Sequence, residues 1–530
     1  MLRLYPKATE NRFSGHEKSL RGPRRAFLKA AALNFAMLQV LFLGLFAYIF
    51  GSIYEEGGHI HNMNVLYVDY DGGVIGASVR DAYNSLKGDE FPTLQERATD
   101  EYPTPGKIES AVCGIRYWGA IYTSPGATSR LSAALGGGSA AATYNRSDVL
   151  TYVWNEARYA SVIDSTISSN LNALSAAARV AYFGTNGTGA LQSLSTTDAT
   201  AISVFGNPWE LIDINIQPTI QGSRLIYNTL VIILILIQEF FYLGTINGLY
   251  VQFKIYSRLY PHRIILYRYA ISLAYTFVGS LCVTGMIWAF RKDWSVNGNQ
   301  FVLCWIILWL FAHANFLCLD VFTVWLPLPY VPMALISWIV FNVTSILIPF
   351  ELSNGFYRWA YAMSAHEVYN TLVDIWSRGC NPQLHIALPV LFTLEVLGLV
   401  FSGLGVYRRC HYASIAEEQA AHAFQERLDA AMAFERKRDE EREEERQEQQ
   451  EKGTTPESVD PEAARISEAI DREELADVIR NEDEQIQREK TKNSKICDFG
   501  PSFGVAYRGE EAGVVDRTFL ELTKSKTGGA

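Results

Sequence analysis

The apolar positions gather into two zones, residues 26–53 and 225–407, and the polar stretches around them set the organisation of the chain. The most informative run goes from Leu225 to Tyr250 and opens LIYNTLVIILILIQEFFYLGTING. At the helical rise per residue it is roughly 39 Å long, against a bilayer core of about 30 Å. Comparable runs at 26–50, 269–290, 301–325, 331–350 and 384–407 predict five more spans. The expected fold is a polytopic α-helical membrane protein. It has one transmembrane helix, a large α+β ectodomain over 51–224, five further transmembrane helices, and a charged helical and disordered tail over 408–530. Pro327, Pro329 and Pro332 mark a tight turn, so a re-entrant hairpin over 326–350 is the alternative to two full spans there. Residues 351–383 carry Phe356, Tyr357, Trp359, Tyr361 and Trp376, rings that favour a membrane interface.

Between the two apolar zones the periodicity changes. Asn64 to Asp69 reads as a strand closed by the turn Asp71-Gly72-Gly73. Asp69 and Asp71 lack the further oxygen ligands that a calcium loop needs. Val74 to Leu86 reads as a helix. From Asp148 to Tyr182 apolar residues recur at steps of three or four: Leu150, Val153, Ala157, Ala160, Ile163, Ile167, Leu171, Leu174, Ala178 and Ala181. That period predicts one long amphipathic helix. Gly136-Gly137-Gly138 is a loop and not a phosphate cradle, because no GK[ST] follows.

Charge orients the spans. The first 25 residues are a basic cytoplasmic segment with Lys18, Arg21, Arg24 and Arg25. The apolar run after it is too long for a signal-peptide core and predicts an uncleaved signal anchor. Lys254, Arg258, His262, Arg263 and Arg268 follow the second span, and Arg408 and Arg409 follow the last. By the positive-inside rule both belong to the cytoplasmic face. Arg291 and Lys292 oppose the scheme but are outnumbered. Both termini are then cytoplasmic. The net charge of −10 over 530 residues comes largely from the tail, which argues against nucleic-acid partners. The charge-dense stretch from Arg436 to Gln450 reads as a solvated helix, and the composition beyond Gly453 predicts mostly disorder with a helical patch at 461–490.

Ionisable residues at membrane depth are costly and face protein or a water-filled path. Glu239, His313, Asp320 and Glu395 are the candidates for an intramembrane polar site that carries protons. Packing by hydrogen-bonded carboxyl groups is the alternative, and Asp320 could merely reach the interface. Cys113 and Cys380 are the two cysteines placed outside, where an oxidising compartment allows a disulfide; spacing alone leaves the pairing open. Cys282, Cys304 and Cys318 fall in spans, and Cys410 sits at the inner edge, either palmitoylated or inert. Asn145 and Asn186 head glycosylation sequons outside, whereas Asn342 heads one inside a span. Seven cysteines show no metal-ligand spacing, so no metal and no cofactor are expected. No HExxH or GxSxG set is present, so no catalytic residues and no enzymatic activity are expected.

The order of one span, an ectodomain and five spans comes with local signatures: NVLYVDYDGGVIG, YNRSDVLTYVWNEARY, NPWELIDINIQP and FELSNGFYRWAYAMSAHEVYNTLVDIW. Over roughly residues 26–410 these resemble the fungal nitrosoguanidine-resistance protein family, which is similar to phage-infection-protein-like and ABC-2-type membrane permeases. The resemblance implies a drug- or mutagen-resistance role through export of toxic compounds or movement of lipids. The alternative is a non-transporting organiser acting on membrane composition through its ectodomain and tail. The resemblance implies membrane lipids as partners, a homodimer, and a plasma-membrane location with an endomembrane as the alternative; the organiser reading adds a cytoplasmic partner for the tail.

Overall fold

A computed structural model describes residues 21–219, 226–291, 294–327, 330–451, 474–475 and 478–479. Lys18, Leu225, Lys292, Pro329, the residues before 21 and nearly all of the tail beyond Glu451, with its predicted disorder and 461–490 patch, lie outside the described residues.

Helix α1 (Arg21–Ser52) leads into a lobe built on a five-stranded sheet of order β2-β1-β3-β4-β5. The strands are β1 (Asn64–Asp69), β2 (Thr93–Glu96), β3 (Gly119–Thr123), β4 (Leu150–Trp154) and β5 (Leu211–Asn215). β1 is parallel to β2 and β3, β4 is antiparallel to β3, and β5 is parallel to β4. Parallel neighbours need crossover helices, supplied by α2 (Val74–Leu86) and α3 (Pro105–Cys113). Helices α4 (Ala127–Leu135) and α5 (Gly138–Ala142) fill the β3–β4 connection; α6 (Ala160–Ile163), α7 (Ser169–Gln192) and α8 (Ala199–Gly206) fill the next. The strand and the first lobe helix begin and end where the hydrophobic pattern puts them. The turn between them is held as its chemistry predicts: Asp69 Oδ1 accepts from the amides of Asp71 and Gly72, both at 3.1 Å. A Cβ on Gly76 would sit 1.9 Å from Asp69 Oδ2, so glycine is required there.

The long helix predicted from Asp148 is corrected. Its first part is β4, whose five residues are all buried between β3 and β5. The sequence LTYVW is β-branched and aromatic, and pairing on both sides overrides the helical period. The apolar steps from Ile163 to Ala178 do lie on a helical face, packed against the lobe core.

Four further long apolar helices follow: α9 (Val231–Gln252), α11 (Pro261–Phe290), α12 (Gly298–Trp325) and α15 (Leu384–Glu451), with the short α10 (Ile255–Arg258) after α9. With α1, five helices are long and apolar enough to cross a membrane. The protein is therefore a multi-pass membrane protein. The predicted span 331–350 differs. Helix α13 (Val331–Thr344) has 14 residues, about 21 Å of helix, and turns follow it. The helix that carries segment six continues past 407: α15 runs unbroken for 68 residues into the charged tail.

Residues 351–383 divide in two. Phe356, Trp359 and Tyr361 are exposed, as an interface segment requires, but α14 (Ser364–Trp376) is buried along nearly its whole length. Its Trp376 is fully buried against Trp294. The reason is the cap of α12. Asn297 accepts from the Gln300 amide, Gln300 Oε1 accepts from the Asn297 amide, and Gln300 Nε2 donates to the carbonyls of Ile375 and Trp376. One apolar core runs continuously from the lobe through α14 into the bundle. Helices α12 and α15 approach closely where Gly398 faces Leu317 and Gly405 faces Val324, positions where a Cβ would collide.

Candidate functional site

Three helices bring polar side chains together in two layers. In the first, His313 on α12 places Nδ1 2.5 Å from Glu395 Oε1 on α15 and Nε2 3.1 Å from Ser272 Oγ on α11. The Ser272 hydroxyl donates to the Tyr269 carbonyl at 3.1 Å, so Nε2–H donates to Ser272. Nδ1 and Glu395 then share one proton, on either partner. The order Ser–His–Glu resembles a nucleophile, base and orienting acid. Two requirements of that chemistry are missing: Ser272 is fully buried, and its hydroxyl proton already serves a helix carbonyl. What the layer provides is a short buried bridge between α12 and α15, anchored on α11.

The second layer lies seven residues further along α12, about 10.5 Å away. Asp320 Oδ1 accepts from Arg268 Nη2 at 2.6 Å and from Arg409 Nη2 at 2.9 Å; Oδ2 accepts from Arg268 Nε at 3.3 Å and Ser402 Oγ at 2.5 Å. Arg268 Nη2 also donates to Asn247 Oδ1 on α9 at 2.8 Å. The Arg268 and Asp320 side chains have no exposed surface. Burying such a pair is costly unless the remaining donors and acceptors are met, and here they are met from four helices. Two guanidiniums against one carboxylate leave one positive charge in excess.

The sequence-predicted residues therefore separate. His313 and Glu395 come together. Asp320 is fully buried at the centre of a charged network. Glu239 stands apart on α9, buried, with no partner for Oε2. Neighbouring Gln238 fills the space beside Gly279. Arg268 and Arg409, read as cytoplasmic loop and inner-edge residues, are folded inward. Helix α11 starts at Pro261, whose fixed φ suits a first helical position, so Arg268 is two turns inside the helix and not before it. A signal was available: Glu395, Ser402 and Arg409 are spaced by seven, as are His313 and Asp320. That spacing puts each set on one helix face.

A third polar region lies at the junction of lobe and bundle. Asn342 Oδ1 accepts from Ser364 Oγ and the Ala365 amide, fixing the start of α14, so this sequon asparagine is buried and occupied. Tyr369 Oη accepts from the Tyr159 amide and from Asn228. His366 donates through one ring nitrogen to the Ser345 carbonyl and accepts from Asn370 through the other; burial lowers its pKa to about 4, which keeps it neutral. Burial raises the Glu367 carboxyl to about 7, with Oε2 unpartnered. Arg158 stacks 3.9 Å over the Trp118 ring, and burial lowers it to about 10. Cys113 and Cys380 form a disulfide across this junction. Asn145 is exposed in a turn, where its Oδ1 accepts from the Ser147 amide. Asn186 is half-buried within α7. Among the described residues no three His, Cys, Asp or Glu side chains converge on a metal position.

A helical bundle capped by an α+β lobe, with two polar layers in its core, defines a multi-pass membrane protein. By sequence, the chain belongs to the family described as a protein of unknown function, DUF3533, which matches residues 34–400. It is similar to an uncharacterized endoplasmic reticulum membrane protein of Saccharomyces cerevisiae, YJR015W. The two are 23% identical over 417 residues, 71% of this chain and 77% of the relative. No solved structure matches the chain.

Proposed function

We propose that this chain is a permease-like membrane protein that moves amphipathic molecules, toxic compounds or lipids, with His313 and Glu395 as its proton-carrying pair. The observation that carries the reading is the 2.5 Å contact between Nδ1 and the carboxylate inside the bundle. A proton can enter or leave that pair while the permanently charged layer beside it holds the helices. The order of spans and the local signatures support the further relation to nitrosoguanidine-resistance and ABC-2-type permeases, and through it a role in drug tolerance. The endoplasmic reticulum location in the yeast relative's name supports an endomembrane over the plasma membrane. Membrane lipids are the proposed partners, two copies of the chain the proposed assembly, and no enzymatic activity is proposed.

The test is transport in reconstituted vesicles, with labelled lipids and candidate drugs, with and without a pH gradient. The expected result is gradient-dependent movement that Glu395→Gln and His313→Gln abolish at normal protein abundance. Movement of no cargo under either condition overturns the transport reading. The non-transporting organiser is favoured by one observation, the unbroken passage of α15 from the membrane into the charged tail. A chain ending after residue 412 that keeps its membrane fold but loses the resistance phenotype would select it.

A further inference from the structure

At the end of the bundle where the basic residues concentrate, a cleft of about 540 Å³ opens between the α9–α11 connection and α15. Its walls include Tyr256, Ser257, Arg258, Tyr260, His411 and Ser414. Arg258 and His411 are exposed. The back wall is not neutral. Tyr256 Oη accepts from Arg409 Nη1 at 3.1 Å and from Arg268 Nη1 at 3.4 Å. The phenol thus joins the cleft to a layer holding two guanidiniums and one carboxylate. A carboxylate also stands at the cleft: Glu417 accepts from Ser257 Oγ at 2.7 Å. Against Asp320 and Glu417 stand Arg258, Arg268 and Arg409, with His411 beside them, so the positive excess persists.

We propose that this cleft binds a phosphate-bearing anion, carried either on a lipid headgroup or on a small soluble molecule. Hydroxyl groups and the single Arg258 guanidinium around one space suit a tetrahedral oxyanion, because charge-assisted bonds from Arg are the strong ones. The volume falls in the range of small-molecule sites and exceeds what a lone inorganic ion needs. Basic pockets between helices at a membrane boundary are also where phosphorylated lipid headgroups meet complementary charge. The inference does not depend on transport: the cleft lies at the charged layer, and its occupant can anchor or regulate the bundle without passing through it.

The experiment uses the full chain in nanodiscs and has two arms. One compares zwitterionic lipid with the same lipid containing phosphatidylinositol 4-phosphate; the other adds soluble inositol trisphosphate to zwitterionic discs. Saturable binding is expected in at least one arm, weakened by salt and by about fivefold in Arg258→Ala. Arg258→Lys should recover part of that loss, His411→Gln should lose less, and Lys107→Ala in the lobe should lose nothing. Binding only from lipid assigns a headgroup; binding of the soluble anion assigns a small molecule. No saturable binding in either arm overturns the proposal, as does a Lys107→Ala loss equal to that of Arg258→Ala.

Discussion

The two polar layers of the bundle share α11, α12 and α15, the second drawing also on α9, yet their chemistry differs. In the first, His313 and Glu395 share a proton between groups that can both become neutral. In the second, Arg268 and Arg409 cannot lose their charge at any accessible pH, and Asp320 must stay ionised to hold them. In the first layer the shared proton can sit on either partner with the net charge of the pair unchanged. The second can only persist or break. Burial in the bundle is thus a poor guide to surroundings: Asp320 on α12 meets two arginines, whereas Glu395 on α15 meets a histidine.

The sharpest way to break this comparison is to remove one acid from each layer. Asp320→Ala leaves two buried guanidiniums without a counter-ion and should cost about 3–5 kcal/mol, seen as a fall in thermal unfolding temperature and in abundance. Glu395→Ala leaves a neutral imidazole still bonded to Ser272 and should cost about 1–2 kcal/mol, measured the same way. Equal losses would show that both layers are structural and would remove the proton-carrying role from the first.

How much of this could be read from sequence follows the range of the forces involved. The spans were legible because bilayer crossing imposes about 20 consecutive apolar residues. The strand at Asn64 and the helix from Val74 were legible because their signals are local. The β4 strand was not, since burial of all five of its residues comes from partners on both sides. Helix α14 was misread for a related reason. Its aromatic and polar residues suit an interface, and only the docking of Gln300 and Asn342 onto its two ends makes it interior. Arg268 and Arg409 were hidden by the positive-inside pattern itself, which assigns every arginine near a span end to the loop. Glu239 was as visible as Glu395, but nothing in the sequence says that only Glu395 meets a histidine.

Glu367 sharpens the comparison because it lies outside both layers, with Oε2 unpartnered as Glu395 Oε2 also is. Its pKa is raised from 4.5 to about 7 by burial, so the folded state holds a proton that the unfolded state releases near pH 4.5. The stability this contributes is fully present below about pH 4.5 and is lost as pH rises through about 7. Glu367→Gln cannot lose it. The variant should match the wild type at pH 4.5 and exceed it by about 2 kcal/mol at pH 8; thermal unfolding at both values measures this. A constant difference across that range would mean that Glu367 has a partner for its charge.

The smallest expected effects separate the two layers by their serines. Ser402 donates to the ionised Asp320 at 2.5 Å, whereas Ser272 meets a ring nitrogen at 3.1 Å. A hydrogen bond to a charged acceptor contributes more than one between neutral groups. Asp320 keeps its arginine donors when Ser402 is lost, so Ser402→Ala should cost about 1.5 kcal/mol and Ser272→Ala about 0.5 kcal/mol. Function should rank them the other way. Ser272→Ala frees His313 Nε2–H from its acceptor and should shift the pH profile of transport at unchanged maximal rate. Ser402→Ala should leave the profile alone. If Ser402→Ala moved the profile and Ser272→Ala did not, the proton would belong to the arginine layer, and the assignment of the two layers would have to be exchanged.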